Sequence, residues 1–394
     1  MSATMHNEVS RVLIVHNRYQ QRGGEDAVVE SESAMLAEHG LDVRSLIVSN
    51  DEIDVRNKAL VAIETLWSSR QARRMEQMLV EHRPDVVHVH NSFPLLSPAV
   101  YWACQRLGVP VVQTLHNFRL ACPQAMFLRE HRVCEECLGH VPWRAVVHRC
   151  YRDSTLQSLV SATNITVHRA LGTYRNKVNR FIALNAFCRD KFIEMGLPAT
   201  KVVIKPNCVA AVAEPCWEGR NGGLYVGRLS PEKGMVTLLG AWDLLSTPGS
   251  PAKLRVVGKG EFEDAWSQRG NEVYLGFKPL PEVIEQMRRS LYMVVPSIWF
   301  ENFPRTIVEA FSVGLPVIAS RIGALAELIE DGVTGLLVEP HDPRDLANKM
   351  AWAEAHPDAM LAMGRQAHAR YRACYAPDVN LAELLAIYRG VQAR

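Results

Sequence analysis

Two glutamates, Glu301 and Glu309, bracket a helix start in the segment Trp299-Phe300-Glu301-Asn302-Phe303-Pro304-Arg305-Thr306-Ile307-Val308-Glu309-Ala310. Proline suits a first helical turn, where its missing N–H costs nothing, so Pro304 marks the start. Gly314 suits the C-terminal cap and Pro316 stops any continuation. Glu301 then lies in the loop before the helix and Glu309 inside it. The amides of the first turn have no intrahelical partners and carry the positive pole of the helix. An anion or a polyhydroxyl ligand fits at the amides near Asn302–Thr306, and the two carboxylates would accept hydrogen bonds from its hydroxyls. The plain alternative is a capped helix with two surface glutamates.

A second segment, Tyr225-Val226-Gly227-Arg228-Leu229-Ser230-Pro231-Glu232-Lys233-Gly234, runs a strand into a turn with two cations. Arg228 and Lys233 at a strand's C-terminal edge could neutralise a diphosphate, although a solvated turn has the same composition. Gly23 and Gly24 follow the first strand, and only small residues there would let the backbone approach a phosphate closely. His116 sits after another strand, in Thr114-Leu115-His116-Asn117. His88 and His90 form a His-x-His on one strand and read as core, because no third ligand is apparent.

The elements that must position these residues alternate. Arg11–Val15, Val43–Val48, Asp85–His90, Val111–Leu115 and Phe181–Leu184 read as buried parallel strands. The stretch Glu25–His39 carries apolar residues at helical spacing. The pattern restarts with Leu224–Val226, Leu254–Val257, Val273–Leu275, Tyr292–Val295, Val317–Ala319 and Leu336–Val338. Helices are expected at Gly234–Leu245, Pro281–Arg289, Pro304–Val313 and Pro343–Ala353, and a linker at Ala210–Gly223. The expected fold class is α/β, with two Rossmann-like domains of parallel sheets facing each other across a cleft. The expected boundaries are 1–200, 201–372 and a C-terminal helix in 373–394 that returns to the first domain.

These segments resemble the retaining GT-B glycosyltransferases, specifically glycosyltransferase family 4. The Glu-x7-Glu motif is matched by Glu301 and Glu309, and the G-R-L-x-x-x-K-G turn by Gly227–Gly234. Pro206-Asn207, Val257-Gly258-Lys259-Gly260, Gly314-Leu315-Pro316-Val317 and Asp331-Gly332-x-x-Gly335 follow in family order. The resemblance implies that Arg228 and Lys233 hold the donor diphosphate, that Glu309 binds the donor ribose and that Glu301 faces the donor sugar. It makes His116 an active-site histidine and Gly23-Gly24 the glycine loop, sets the backbone at Phe303, Pro304 and Arg305 against sugar hydroxyls or phosphate, and puts Phe277 and Lys278 beside the nucleotide base. Asn302-Phe303-Pro304-Arg305 departs from the glycine-rich stretch of many relatives. The implied reaction moves a sugar from a nucleotide diphosphate donor to a hydroxyl acceptor, with no cofactor required for catalysis. A non-catalytic nucleotide-sugar-binding or scaffold protein of the same fold is the alternative.

The remaining signals bound the partners. The 394 residues carry 44 Lys+Arg against 42 Asp+Glu, so nothing marks a nucleic-acid binder. There is no Asp-x-Asp to hold a metal on a diphosphate, no Walker-type P-loop and no Gly-x-Gly-x-x-Gly after the first strand. No apolar run approaches the roughly 18 residues of a membrane span, and a cytoplasmic protein is expected. Cys122, Cys134, Cys137 and Cys150 fall in an insertion at 118–150, where a structural zinc site stands beside the alternative of free thiols. Between His140 and Ile182, seven cations face Asp153 alone and alternate with apolar residues such as Trp143 and Leu156. Such a stretch could lie on the anionic inner face of a membrane and meet a lipid-linked sugar acceptor, or be a solvated helix face.

Overall fold

β-branched runs too apolar for any one-sided sheet become strands covered on both faces. In a computed structural model, which describes residues 9–246, 253–270 and 273–392, the chain divides into two units. The first comprises residues up to Met126, Glu135–Asn207 and the segment from Asn380 onward; the second comprises Phe127–Cys134 and Cys208–Val379.

The first unit holds β1 (Arg11–Arg18), β2 (Asp42–Ser49), β3 (Val86–Asn91), β4 (Val111–Thr114), β7 (Arg180–Ala183) and β8 (Val202–Ile204). They form a six-stranded parallel sheet in the order β2-β1-β3-β4-β7-β8. Val12–Val15 are fully buried. The helix Gly24–Glu38 presents Val28, Val29, Glu32 and Leu36 inward, three apolar residues and one charge at helical spacing. The C-terminal helix, Pro377–Gln392, adds Leu384, Tyr388 and Val391 to the core formed by Val12, Ile14, Val86 and Val112.

In the second unit, β5 (Leu128–Arg129) and β6 (Arg132–Val133) make a small antiparallel hairpin. The sheet contains β9 (Gly223–Val226), β10 (Leu254–Val257), β11 (Tyr274–Gly276), β12 (Tyr292–Val295), β13 (Val317–Ser320) and β14 (Gly335–Val338). Its order is β11-β10-β9-β12-β13-β14, again parallel. Trp266, Tyr292, Leu238 and Met350 lie in its core.

Both sheets reverse direction of winding once, between β1 and β3 and between β9 and β12. The crevice beyond the carboxyl ends of such strands is where α/β sheets bind ligands. The junction falls at Asn207/Cys208 rather than at 200/201, because β8 extends the first sheet by a strand too short to read in the sequence. The return to the first unit falls at Asn380 rather than at 373. Part of the expected insertion, Phe127–Cys134, belongs to the second unit, where the buried Phe127 ring meets Phe300 edge-on.

Candidate functional site

In the second unit, the turn after β9 and the loop after β12 are forced together by glycines. Gly234 has φ +75°, and a Cβ there would sit 1.8 Å from the Pro296 carbonyl oxygen. A Cβ on Gly258, after β10, would sit 1.8 Å from the Gly227 oxygen. Only glycine permits either approach.

The result is that Lys233 Nζ lies 2.5 Å from Glu301 Oε1. The same oxygen accepts from Ser297 Oγ at 2.8 Å and from Trp299 Nε1 at 3.1 Å. Lys233 also lies over the Trp299 ring, 5.5 Å from its centre. Glu301 is buried, so its carboxylate is held by charge and by two neutral donors rather than by water. Arg228 remains largely exposed and pairs with Glu232 at 3.1 Å, leaving its guanidinium accessible on the same turn. The Ser230 hydroxyl fixes Glu232 in turn.

The helix after this loop spans Arg305–Ser312, with Pro304 at its N-cap rather than inside it. Glu309 is buried one turn in; burial raises its carboxyl above the usual range, partly offset by Arg305, whose Nε is 3.9 Å away. Arg305 Nη1 is buried without a hydrogen-bond partner. Phe303 is buried against Tyr375. Phe277 is two-thirds exposed just beyond β11, and Lys278 pairs with Glu282 at 3.0 Å. An exposed aromatic ring at an edge strand can stack on a flat ligand.

In the first unit, Gly23 is extended, at φ −117° and ψ −176°, and a Cβ there would touch only Asp26 Oδ2, at 3.9 Å. The fold itself therefore does not require glycine at this exposed position. The first turn of the following helix carries Glu25 and Asp26, which already oppose its positive pole. Asp26 accepts from the Gly23 amide at 2.8 Å and pairs with His16 at 2.8 Å.

Glu25 Oε2 accepts from Tyr19 at 3.0 Å and Asn117 at 3.3 Å, while its Oε1 is buried without a partner. Burial, against the opposing charge of His16 and the Tyr19 hydrogen bond, pushes the Glu25 carboxyl up to about 7. Asn117 adjoins His116, the half-buried histidine beyond β4. Burial lowers His116 to about 3, so it is neutral at any ordinary pH. Its Nε2 lies 2.9 Å from His90 Nδ1.

His88 and His90 are core residues, as their strand pattern suggests, yet a carboxylate missed in the sequence joins them. Glu32, His88 and His90 are the one group of three or more His, Cys, Asp or Glu among the described residues whose ligand atoms lie within 4.8 Å of one another. Lys205 already supplies a cation to this carboxylate, 2.8 Å from Glu32 Oε1, and both His88 nitrogens are hydrogen-bonded, to Tyr388 and Thr114. The chemistry is that of a buried ion pair rather than a metal centre. Glu32 was legible only as a charge at an inward position of an apolar helix face. The group includes none of Cys122, Cys134, Cys137 and Cys150, so the zinc expectation rests on their spacing alone; Cys122 and Cys137 are buried and the other two partly so.

Residues 217–370 match the family described as Glycosyl transferases group 1, and residues 23–208 that described as Glycosyl transferase 4-like domain. The chain is 28% identical over 344 residues to a D-inositol 3-phosphate glycosyltransferase of Streptosporangium roseum, covering 81% of this chain and 72% of that protein. Other curated relatives are matched over as little as 35% of their length. Among solved structures, a sucrose-phosphate synthase from Thermosynechococcus elongatus superposes with a TM-score of 0.71 at 17% identity, covering 98% of this chain and 99% of that one. Anabaena HepE in complex with UDP does so at 0.63 and 18% identity, covering 95% and 99%.

Proposed function

We propose a specific reaction for this chain, which belongs to the glycosyltransferases of GT-B fold: transfer of a sugar from a nucleotide diphosphate donor to a hydroxyl, with retention at the anomeric carbon. One observation carries the reading. At the winding reversal of the second sheet, the ammonium of Lys233 and the carboxylate of Glu301 stand side by side with Arg228 accessible on the same turn. A cation pair suited to pyrophosphate adjoins an acceptor suited to sugar hydroxyls.

In the reaction, the bond from the anomeric carbon to the diphosphate oxygen breaks while a bond from that carbon to the acceptor oxygen forms on the same face. The acceptor's proton passes to the departing phosphate oxygen. Lys233 and Arg228 stabilise the charge on that oxygen, which is electrostatic work that needs no divalent metal. Glu301 exchanges its pairing with Lys233 for hydroxyls of the donor sugar and supports the positive charge developing on the ring. Glu309 binds the ribose, the amides at Phe303–Arg305 meet hydroxyls or phosphate, and Phe277 with Lys278 flanks the base. His116 accepts a hydrogen bond from the donor sugar. HepE was crystallised with UDP and with UDP-glucose, which supports a uridine donor as the first to try.

The acceptor reading is a lipid-linked sugar of polysaccharide or glycolipid synthesis, met at the inner face of a membrane. No helix among the described residues is long and apolar enough to cross one. Trp143, Val147, Leu156 and Leu159 are nonetheless exposed by about half or more, and Arg144 and Arg149 lie exposed in the same stretch. Apolar anchors interleaved with arginines suit anionic headgroups. Salt-sensitive flotation with anionic liposomes is expected, and its absence would count against membrane docking.

The transfer itself is tested by incubating the chain with UDP- and GDP-sugars plus EDTA and following nucleotide release and the anomeric proton signal of the product. Release with retained configuration is the expected result. Inversion would remove the same-face mechanism, and binding without turnover would favour a nucleotide-sugar-binding scaffold.

A further inference from the structure

We propose that Glu32 and His90 are positioning residues that fix the tautomer of His116, leaving its Nδ1 bare to accept a hydrogen bond from a substrate hydroxyl. The last clause rests on the transfer reading above; the tautomer does not.

Lys205 is buried, and its ammonium donates to Glu32 Oε1 and Asn380 Oδ1, each at 2.8 Å, and to the Pro206 carbonyl at 3.3 Å. Burial alone would raise the Glu32 carboxyl, but the charge and hydrogen bond of Lys205, with the neighbouring histidines, together hold the group below the usual range, so Glu32 is anionic. Its second oxygen, Oε2, has no hydrogen-bond partner, nor does His90 Nε2; both are buried, and they face each other at 3.6 Å. His90 is neutral, because burial lowers it well below the ordinary imidazole value. A neutral ring carries one proton. On Nδ1 it would leave the Nε2 lone pair aimed at a carboxylate, a repulsion in a dry interior; on Nε2 it turns an N–H toward the anion, an electrostatic attraction at 3.6 Å rather than a hydrogen bond.

His90 Nδ1 is then an acceptor. It lies 2.9 Å from His116 Nε2, so that nitrogen must carry the proton and donate. His88 cannot intervene, since Tyr388 and Thr114 take both its nitrogens. His16, whose ring centre lies 6.4 Å from that of His90, is bound through Nε2 to Asp26, and its Nδ1 is buried without a partner. What remains to His116 is a lone pair on Nδ1, on a ring too buried to be protonated at working pH. The site would therefore favour a sugar with a hydroxyl at this position over one carrying fluorine there, which offers no hydrogen to donate.

Long-range 1H–15N spectra of the full chain labelled with 15N-histidine read the tautomer directly, with His116→Gln assigning the signal. The expected spectrum shows His116 protonated on Nε2 from pH 6 to 8. His90→Leu, which removes the acceptor, should give a mixture of tautomers and lower turnover about tenfold, the scale of one hydrogen bond. His90→Asn places an amide oxygen near the position of Nδ1 and should restore both. Protonation of wild-type His116 on Nδ1 would overturn the proposal even if no variant folds. So would an unchanged tautomer in His90→Leu. A correct tautomer without any turnover would leave the positioning intact and strike only the transfer reading.

Discussion

Replacing Glu25 by glutamine should change how stability depends on pH, by an amount the structure sets. The folded Glu25 carboxyl titrates at about 7, chiefly because it is buried and its Oε1 has no donor. In the unfolded chain it titrates near ~4.3. Between those values the folded state keeps a proton that the unfolded state has released, so stability falls as pH rises and levels off above about 7. The span corresponds to about 4 kcal/mol as an upper bound, less where water reaches the half-buried side chain. Glutamine keeps the shape and can still accept from Tyr19 and Asn117, but it has nothing to titrate. Urea unfolding of the wild type and E25Q at intervals from pH 4.5 to 8 isolates the contribution, because all other groups are common to both. E25Q should gain steadily on the wild type up to pH 7 and then hold its advantage. A constant difference, or one that moves the other way, would refute the burial argument for Glu25.

Other perturbations follow from the same contacts. K205M strands the Glu32 carboxylate without its cation and should cost about 3–5 kcal/mol in urea unfolding, with K205M/E32Q recovering part of the loss. G40A tests positive φ in open space and should cost about 1 kcal/mol, whereas G234A adds a collision with the Pro296 oxygen and should cost distinctly more. E309Q should raise the donor KM about tenfold, the loss of one hydrogen bond to an ionised group, with little change in melting temperature.

The strands were readable because burial on both faces makes them continuous apolar runs; β9, β10 and β12 fall within a residue of their expected limits. The paired motifs were readable too, since strand, turn and helix signals place Lys233 and Glu301 each beyond the end of a strand, although only the sheet order makes those strands neighbours. Less visible was β8, three residues with one buried side chain, and with it the position of the junction. Nor did the sequence show Ser297 and Trp299 as donors to Glu301, because hydroxyl and indole groups in loops carry no period. The Lys205–Glu32 pair joins residues far apart in the chain, and only the sheet order brings them together. Gly23 is the opposite case: it was legible as a glycine, but the protein's own packing does not require one there.

Calorimetric titration of UDP and GDP into the wild type, R228A and K233A tests the central claim most directly. One nucleotide should bind the wild type, with affinity reduced about tenfold or more in each variant and the melting temperature of the free protein little changed. Undiminished binding to K233A and R228A would contradict the assignment of these two cations to the diphosphate, and with it the donor site after β9.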